Sequence, residues 1–183
     1  MLRRDEEIMG AVGQGDRASL EVLVSRYHSQ LLGFFFRMLA GDRATAEDLT
    51  QETFVRLLRQ TTYSPGRPFR PWLFAVAANL ARDHLRQASR RPAPDDPALA
   101  ALEDPGPGPE ARAVTGAVID DVARAVAGMP EEYRVTLILR YGNDLSLEEV
   151  AAALEIPLGT VKSRLSVGLR RLRDALPAER LGR

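Results

Sequence analysis

The sequence predicts an all-α protein with two small helical domains joined by a flexible, acidic, proline-rich linker. Apolar residues recur at three- and four-residue spacing along most of the chain, which is the period of an α-helix, and no window resembles a strand. Residues 92–111 interrupt this pattern with six of the twelve prolines, five acids and no basic residue. Such a composition neither continues a helix nor buries apolar surface. We therefore expect domains at 1–91 and 112–183, with a linker at 92–111.

Three helices are predicted before the linker, at about 16–39, 43–60 and 70–88. Asp16 is a suitable N-cap for the first helix, since its carboxylate can accept from the first backbone amides. The segment 61–71 between the second and third helices is rich in proline, glycine and serine, and is predicted to be a loop.

After the linker we expect four helices, at about 113–127, 130–141, 146–153 and 159–175. Ser146 followed by Glu149 is a capping box that starts the third of them. Pro157 and Gly159 mark a tight turn before the fourth. Two short helices joined by a tight turn, the second of them basic, describe a helix-turn-helix. The second domain is thus predicted to be a four-helix domain that contains this motif.

The last helix divides its residues between an apolar stripe and a basic face. At 100° per residue, the inward stripe is Val161, Leu165, Leu169, Leu172 and Leu176. The other face offers side chains for a major groove and for phosphates. The candidate DNA contacts are Thr160, Lys162, Ser163, Ser166 and Arg170. An ordinary amphipathic helix with a solvated basic face is the alternative interpretation.

The composition argues against several classes of protein. The 183 residues include no cysteine and only two histidines, so metal sites and histidine-centred catalysis have few residues to use. We expect no catalytic residue, no metal and no cofactor. No apolar run approaches the about 20 residues that span a bilayer, and acids at 5–7 stand where a signal peptide would be apolar. These features indicate a cytoplasmic protein without membrane insertion.

The net charge of zero conceals an uneven distribution. Residues 1–93 carry a net +4, residues 94–128 a net −5 and residues 129–183 a net +1. Within the last block, residues 159–183 hold seven basic residues against two acids. Local basic patches of this kind, more than the overall charge, indicate nucleic-acid binding.

Residues 46–54, Ala-Glu-Asp-Leu-Thr-Gln-Glu-Thr-Phe, closely resemble the second conserved region of the sigma-70 family of RNA polymerase sigma factors. In that family this helix docks on the clamp helices of the largest polymerase subunit. The resemblance implies that the core polymerase is bound by Asp48, Gln51, Glu52 and Val55. A solvated acidic face is the alternative interpretation of these residues.

Residues 69–86 resemble the promoter −10 recognition and melting region of extracytoplasmic-function sigma factors. By that resemblance the loop 61–71 forms a pocket for a flipped base, since aromatic and polar groups can stack on and read an unstacked base. The residues implied to line or flank the DNA are Phe69, Trp72, Asn79, Arg82 and Arg86. A lone tryptophan on an apolar helix is as readily explained as a core residue.

The resemblance extends from about residue 16 to residue 176 in the family's order, and the chain is identified as a member of the extracytoplasmic-function group. It implies a promoter-specificity factor, not an enzyme, whose helix-turn-helix recognises the −35 element. The implied partners are promoter DNA, an anti-sigma factor and the polymerase core, through its clamp helices and the flap of its second subunit. The acidic linker would thread through polymerase channels in the place of nucleic acid.

Two positions of the last helix depart from the family's pattern. Arginine often occurs near Val167 and alanine near Gly168, and glycine costs about 1 kcal/mol relative to alanine inside a helix. Because of these two departures, the resemblance leaves open which promoter sequence the last helix would recognise.

Two other classes of protein also stay open. A stand-alone DNA-binding regulator, such as those with LuxR-type domains, explains the second domain but not residues 43–91. An enzyme would have only Asp48 and Glu52 as a carboxylate pair.

Overall fold

The computed structural model describes residues 3–59, 63–64, 66–90 and 115–176. Throughout these ranges the chain is helical between its turns and contains no strand, so the all-α prediction is confirmed. The N-terminal half, residues 3–90, contains α1 Asp5–Gly13, α2 Arg17–Met38, α3 Arg43–Arg59 and α4 Phe69–Ala88. The C-terminal half, residues 115–176, contains α5 Thr115–Ala127, α6 Glu131–Leu137, a π-helical turn Ile138–Gly142, α7 Leu147–Leu154 and α8 Leu158–Ala175. The predicted linker lies outside the described residues.

The sequence does not predict helix α1, which lies before the first predicted helix. Its first turn is acidic, which suits the positive end of a helix, and it buries Ile8, Met9 and Val12. The side chain of Glu6 accepts a hydrogen bond from the backbone amide of Phe69 at 3.1 Å. Helix α1 is therefore held against the start of α4.

The predicted N-cap of α2 is confirmed. The carboxylate of Asp16 accepts from the backbone amides of Ala18 and Ser19 at 3.0 and 3.4 Å, and from the Ser19 hydroxyl at 2.6 Å. The hydroxyl bond first, and then the amide bonds, lower the pKa of Asp16. Helix α2 ends before Gly41, whose φ of +96° is accessible mainly to glycine.

Helix α4 is buried on both of its sides. Leu73, Ala77 and Leu80 are buried, and so are Phe74 and Ala78 on an adjacent side of the helix. Helices α1, α2 and α3 cover one side of α4, and α7 of the C-terminal half covers the other. The two halves therefore share one hydrophobic core in the free chain.

The helix-turn-helix begins at the predicted capping box. The Ser146 hydroxyl accepts from the Glu149 amide at 3.1 Å, and the Glu149 carboxylate accepts from the Ser146 amide at 2.8 Å. Helix α7 ends at Glu155, which adopts the left-handed conformation with φ +54°. The chain then turns directly into α8.

The inward stripe predicted for α8 is wrong at one position. Val161 and Leu165 are buried as expected, but Leu169 is 42% exposed and Gly168 is buried in its place. A Cβ atom on Gly168 would lie 3.0 Å from Cδ1 of Leu137 and 3.2 Å from its Cγ. Glycine lets α8 approach α6 closely here, which explains its use despite its low helix propensity.

The substitution Gly168→Ala tests this explanation. Overpacking costs about 1–3 kcal/mol, against about 1 kcal/mol that alanine gains in helix propensity. We expect a net loss of about 1 kcal/mol in the free energy of unfolding, measured by urea denaturation. Gly10→Ala in α1 is the matched control, because a Cβ atom at position 10 would have no neighbouring atom within 4 Å. A gain in stability for Gly168→Ala would contradict the packing argument.

Candidate polymerase and nucleic-acid interfaces

The outer face of α3 carries the four residues implied to bind the polymerase core. Asp48, Gln51 and Val55 are exposed and Glu52 is half-exposed, whereas the opposite face buries Ala46, Thr50, Thr53, Phe54 and Leu57. The two buried threonines donate their hydroxyls to backbone oxygens one turn earlier, both at 2.7 Å. The structure thus brings the four predicted residues together on one free surface.

Leu58 continues this surface and was not among the predicted residues. Its side chain is 52% exposed, and it follows Val55 by three residues, which places the two as neighbours on the helix. An exposed leucine beside an exposed valine gives the acidic face of α3 an apolar end. The signal for it in the sequence is the three- and four-residue spacing from Asp48 through Gln51 and Val55.

The aromatic residues implied to read the −10 element lie in the core. Phe69 is 0% exposed and Trp72 is 3% exposed. Tyr63 packs edge-on against Trp72, with ring centroids 4.9 Å apart, and its hydroxyl donates to the carbonyl oxygen of Arg67 at 2.9 Å. Of the two interpretations open for Trp72, the core position is the one found in this structure, and Phe69 is buried beside it. Part of that loop, residues 60–62 and 65, lies outside the described residues.

The polar residues implied for the −10 element lie together on the second half of α4. Asn79 and Arg86 are exposed and Arg82 is half-buried. Arg82 donates to the side-chain oxygen of Asn79 at 3.0 Å and to the carboxylate of Glu131 at 2.8 Å. The structure therefore groups these three residues and separates them from the buried Phe69.

The outer face of α8 carries the helix-turn-helix residues. Lys162, Ser163, Ser166 and Arg170 are exposed, and Thr160 is half-buried at the start of the helix. The exposed Leu169 lies with Ser166, Arg170 and Arg173 around a shallow depression. An apolar side chain among such groups suits the methyl group of thymine, so Leu169 joins this surface although helical periodicity predicted it to lie inside.

Polar contacts cross between the two halves around the turn after the π-helical segment. Arg37 donates to the carbonyl oxygen of Gly142 at 2.8 Å, and Arg70 donates to those of Asn143 and Asp144. The side chain of Asn143 donates back to the carbonyl oxygen of Gln30 at 3.0 Å. Burial lowers the pKa of Arg37. These contacts clamp residues 142–144 onto the N-terminal half.

Metal sites and membrane spans are absent from the part of the chain that the structure describes. The described residues contain no group of three or more histidine, aspartate or glutamate side chains that would hold a metal ion. No helix among them combines the length and the apolar character that crossing a bilayer requires.

Comparison with known protein families gives two matches in the order of the chain. Sigma-70 region 2 matches residues 23–91, and Sigma-70 region 4 matches residues 119–172. The first match includes the candidate face of α3 and the α4 residues, and the second includes α8.

Curated relatives match the chain over most of its length. The RNA polymerase sigma-H factor of Pseudomonas aeruginosa is 31% identical over 176 residues, which are 88% of this chain and 88% of that protein. The ECF RNA polymerase sigma factor SigW of Bacillus subtilis is 31% identical, covering 90% of this chain and 92% of its own length. SigE of Mycolicibacterium smegmatis is 36% identical over 88% of this chain and 64% of its own.

Two solved structures share the fold. The structure of CnrH in complex with the cytosolic domain of CnrY has a TM-score of 0.71 at 22% identity, covering 93% of this chain and 95% of that one. The sigma factor RpoE in complex with the anti-sigma factor NepR, from Bartonella quintana, has a TM-score of 0.67 at 24% identity, covering 87% and 98%.

The burial of Trp72 makes a prediction about stability. We expect Trp72→Ala to lower the free energy of unfolding by about 3–5 kcal/mol, because it removes a large ring from a packed core. Urea denaturation followed by circular dichroism measures the change. Gln87→Ala, an exposed position on the same helix, is the control and should shift stability by no more than about 0.5 kcal/mol. Equal effects of the two substitutions would contradict the packing described for Trp72.

Proposed function

The chain belongs to the extracytoplasmic-function group of sigma-70 family sigma factors, and we propose that its surfaces divide the work of promoter-specific initiation. As an RNA polymerase sigma factor it directs promoter-specific transcription initiation. In this proposal residues 1–91 are region 2, residues 92–111 the linker and residues 112–183 region 4. The observation that carries the proposal is the match to both regions, in order, together with relatives that cover nearly the whole chain.

The outer face of α3 is proposed to bind the clamp helices of the polymerase's largest subunit. Its acidic and amide groups, Asp48, Gln51 and Glu52, are followed along the helix by the exposed apolar pair Val55 and Leu58. Protein–protein interfaces commonly combine apolar and polar groups in this way. The flap of the polymerase's second subunit is the proposed partner of the C-terminal half.

Promoter DNA is proposed to meet two separate surfaces. The −10 element meets the loop before α4 together with Asn79, Arg82 and Arg86, while the buried Phe69 and Trp72 hold that loop in place. The −35 element meets the outer face of α8, through Thr160, Lys162, Ser163, Ser166 and Arg170. The exposed position of Leu169 supports adding an apolar contact to that face.

We also propose that the protein catalyses no reaction itself, acts in the cytoplasm, needs no cofactor and is controlled by an anti-sigma factor. The last point follows the family resemblance and a solved structure with the same fold, in which RpoE is in complex with the anti-sigma factor NepR. It is therefore a proposal about regulation, separate from the polymerase and promoter surfaces.

Charge reversal on α3 tests the polymerase surface. The double variant Asp48→Lys/Glu52→Lys should bind purified core polymerase at least about tenfold more weakly, because repulsive charges at an interface cost several kcal/mol. Glu21→Lys/Glu148→Lys makes the same charge change at two exposed positions off this face and should bind like the wild type. Surface plasmon resonance on immobilised core measures both. Equal affinities for the two doubles would exclude the α3 face as the docking surface.

Run-off transcription with purified core tests the function as a whole. With fragmented genomic DNA as template, we expect the protein to start transcripts at sites that share a −10 and a −35 element, identified by sequencing the transcripts. Lys162→Ala should lower the yield from these sites without changing core affinity, since one cationic contact with DNA is lost. Specific binding of the isolated protein to promoter fragments, with no core-dependent transcripts, would instead indicate a stand-alone regulator.

A further inference from the structure

The first turn of α4 has no N-cap side chain of its own. Its N-cap residue is Pro68, whose side chain makes no capping hydrogen bond, and Pro71 carries no amide hydrogen. The first backbone amides of a helix need acceptors from outside the helix. The amide of Phe69 donates to the carboxylate of Glu6 at 3.1 Å, across 63 residues of sequence. Helix α1 thus provides the cap that the local sequence of α4 lacks.

The position of Glu6 is fixed by contacts of the residues around it in α1. The carboxylate of Asp5 accepts hydrogen bonds from the guanidinium of Arg26 and from the hydroxyl of Tyr27. Ile8, in the same turn as Glu6, is 2% exposed and packs in the hydrophobic core. Because α1 is held on α2 by these contacts, the carboxylate of Glu6 meets α4 at a defined place.

The capped residue joins three parts of the N-terminal half. The ring of Phe69 is fully buried and lies edge-on to Tyr27 of α2 and to Tyr63 of the loop before α4, with ring centroids 5.4 and 6.1 Å apart. Its backbone amide is bound by Glu6 of α1. A displacement of Phe69 would therefore also displace Tyr63.

Tyr63 holds the described part of the loop. Its hydroxyl donates to the carbonyl oxygen of Arg67 at 2.9 Å, and its ring packs against Trp72. Burial first, and then the charge of Glu6, raise the pKa of Tyr63, so the hydroxyl stays protonated and remains a donor. Glu6 thus acts on the loop through the amide of Phe69 and through its charge near Tyr63.

We propose that Glu6 is a positioning residue for −10 recognition, which holds the loop before α4 in the conformation that receives an unstacked base. This inference rests on the proposed function, because it takes that loop as part of the −10 surface. Glu6 itself contacts no DNA and acts through Phe69 and Tyr63. A loop that is already held in its binding conformation loses less conformational entropy when it binds, and therefore binds more tightly.

Four variants of the full chain separate the cap from general stability. Glu6→Ala removes the cap, whereas Glu6→Gln keeps an oxygen acceptor on a side chain of the same length. Glu7→Ala makes the same charge change at the next residue, which is exposed and pairs with Arg4 at 2.9 Å. Ile8→Val removes buried apolar atoms from α1 and so destabilises the domain without removing the cap. Urea denaturation compares the stability of the four variants.

The fluorescence of Trp72 gives a readout that does not depend on promoter binding. The chain contains one tryptophan, and that residue is 3% exposed and lies against the ring of Tyr63. We expect acrylamide to quench this fluorescence about twofold more efficiently in Glu6→Ala, because local opening of the loop exposes the ring. Glu6→Gln, Glu7→Ala and Ile8→Val should be quenched like the wild type.

Discrimination of −10 DNA is measured on the holoenzyme assembled with purified core polymerase. Fluorescence anisotropy compares two labelled single strands: the non-template strand of a −10 element identified by run-off transcription, and the same strand with its −10 bases permuted. We expect Glu6→Ala to lower the ratio of the two affinities about three- to tenfold, as the loss of one helix cap predicts. Core affinity should not change. Glu6→Gln should restore the ratio to within about twofold of the wild type, and Glu7→Ala should leave it unchanged.

The outcomes separate this inference from the proposed function. If the wild-type holoenzyme binds both strands equally, the proposed −10 surface is wrong and the inference is overturned with it. If the wild type discriminates and Glu6→Ala discriminates equally well, only the inference is overturned. A lower ratio without a change in the quenching of Trp72 would exclude action through the loop.

The buried control decides between positioning and general stability. An equal loss of discrimination in Ile8→Val would assign Glu6 to the stability of the fold and overturn the inference. If Glu6→Ala loses helical circular dichroism, Glu6→Asp makes the same comparison, because it keeps the charge but withdraws the carboxylate by one methylene group.

Discussion

The burial of α4 on both of its sides is the constraint on which the rest of the structure depends. Helices α1, α2 and α3 cover one side, and α7 from the distant C-terminal half covers the other. Apolar burial contributes about 25 cal/mol for each Å² removed from water, so the apolar residues that α4 presents to both neighbours stabilise the fold most when both sides are covered. This requirement brings together two halves that a one-sided helix would have left separate.

Polar groups at the margin of that contact join the two halves in a specific register. Arg37 and Arg134 donate to backbone carbonyls of the opposite half, and burial lowers the pKa of each guanidinium. The Nε of Arg134 is buried without a hydrogen-bond partner, and an unsatisfied buried donor costs about 1–3 kcal/mol.

The surfaces proposed to bind the polymerase and the −35 element are faces that this packing leaves exposed to solvent. The outer faces of α3 and α8 are free in the closed chain, whereas the edge of α4 is shared between the N-terminal half and glutamates of the C-terminal half. The proposed polymerase surface on α3 is thus exposed in this structure, whereas Arg82 on the edge of α4 is paired with Glu131. Gly168 also allows α8 to approach Leu137 of α6 closely.

The sequence by itself determined the helical class, the order of the helices and the faces of α3 and α8 that carry candidate contacts. The caps at Asp16 and Ser146 and the bounds of most helices were predictable because they depend on residues within one or two turns. The helix α1, the exposure of Leu169 and the burial of Phe69 were not, and the sequence left a core position and a DNA contact equally open for Trp72. Burial on a second side depends on residues far away in the chain, and helical periodicity carries no information about a partner helix. Only the tertiary structure decided that glutamates of one half would meet the arginines of the other.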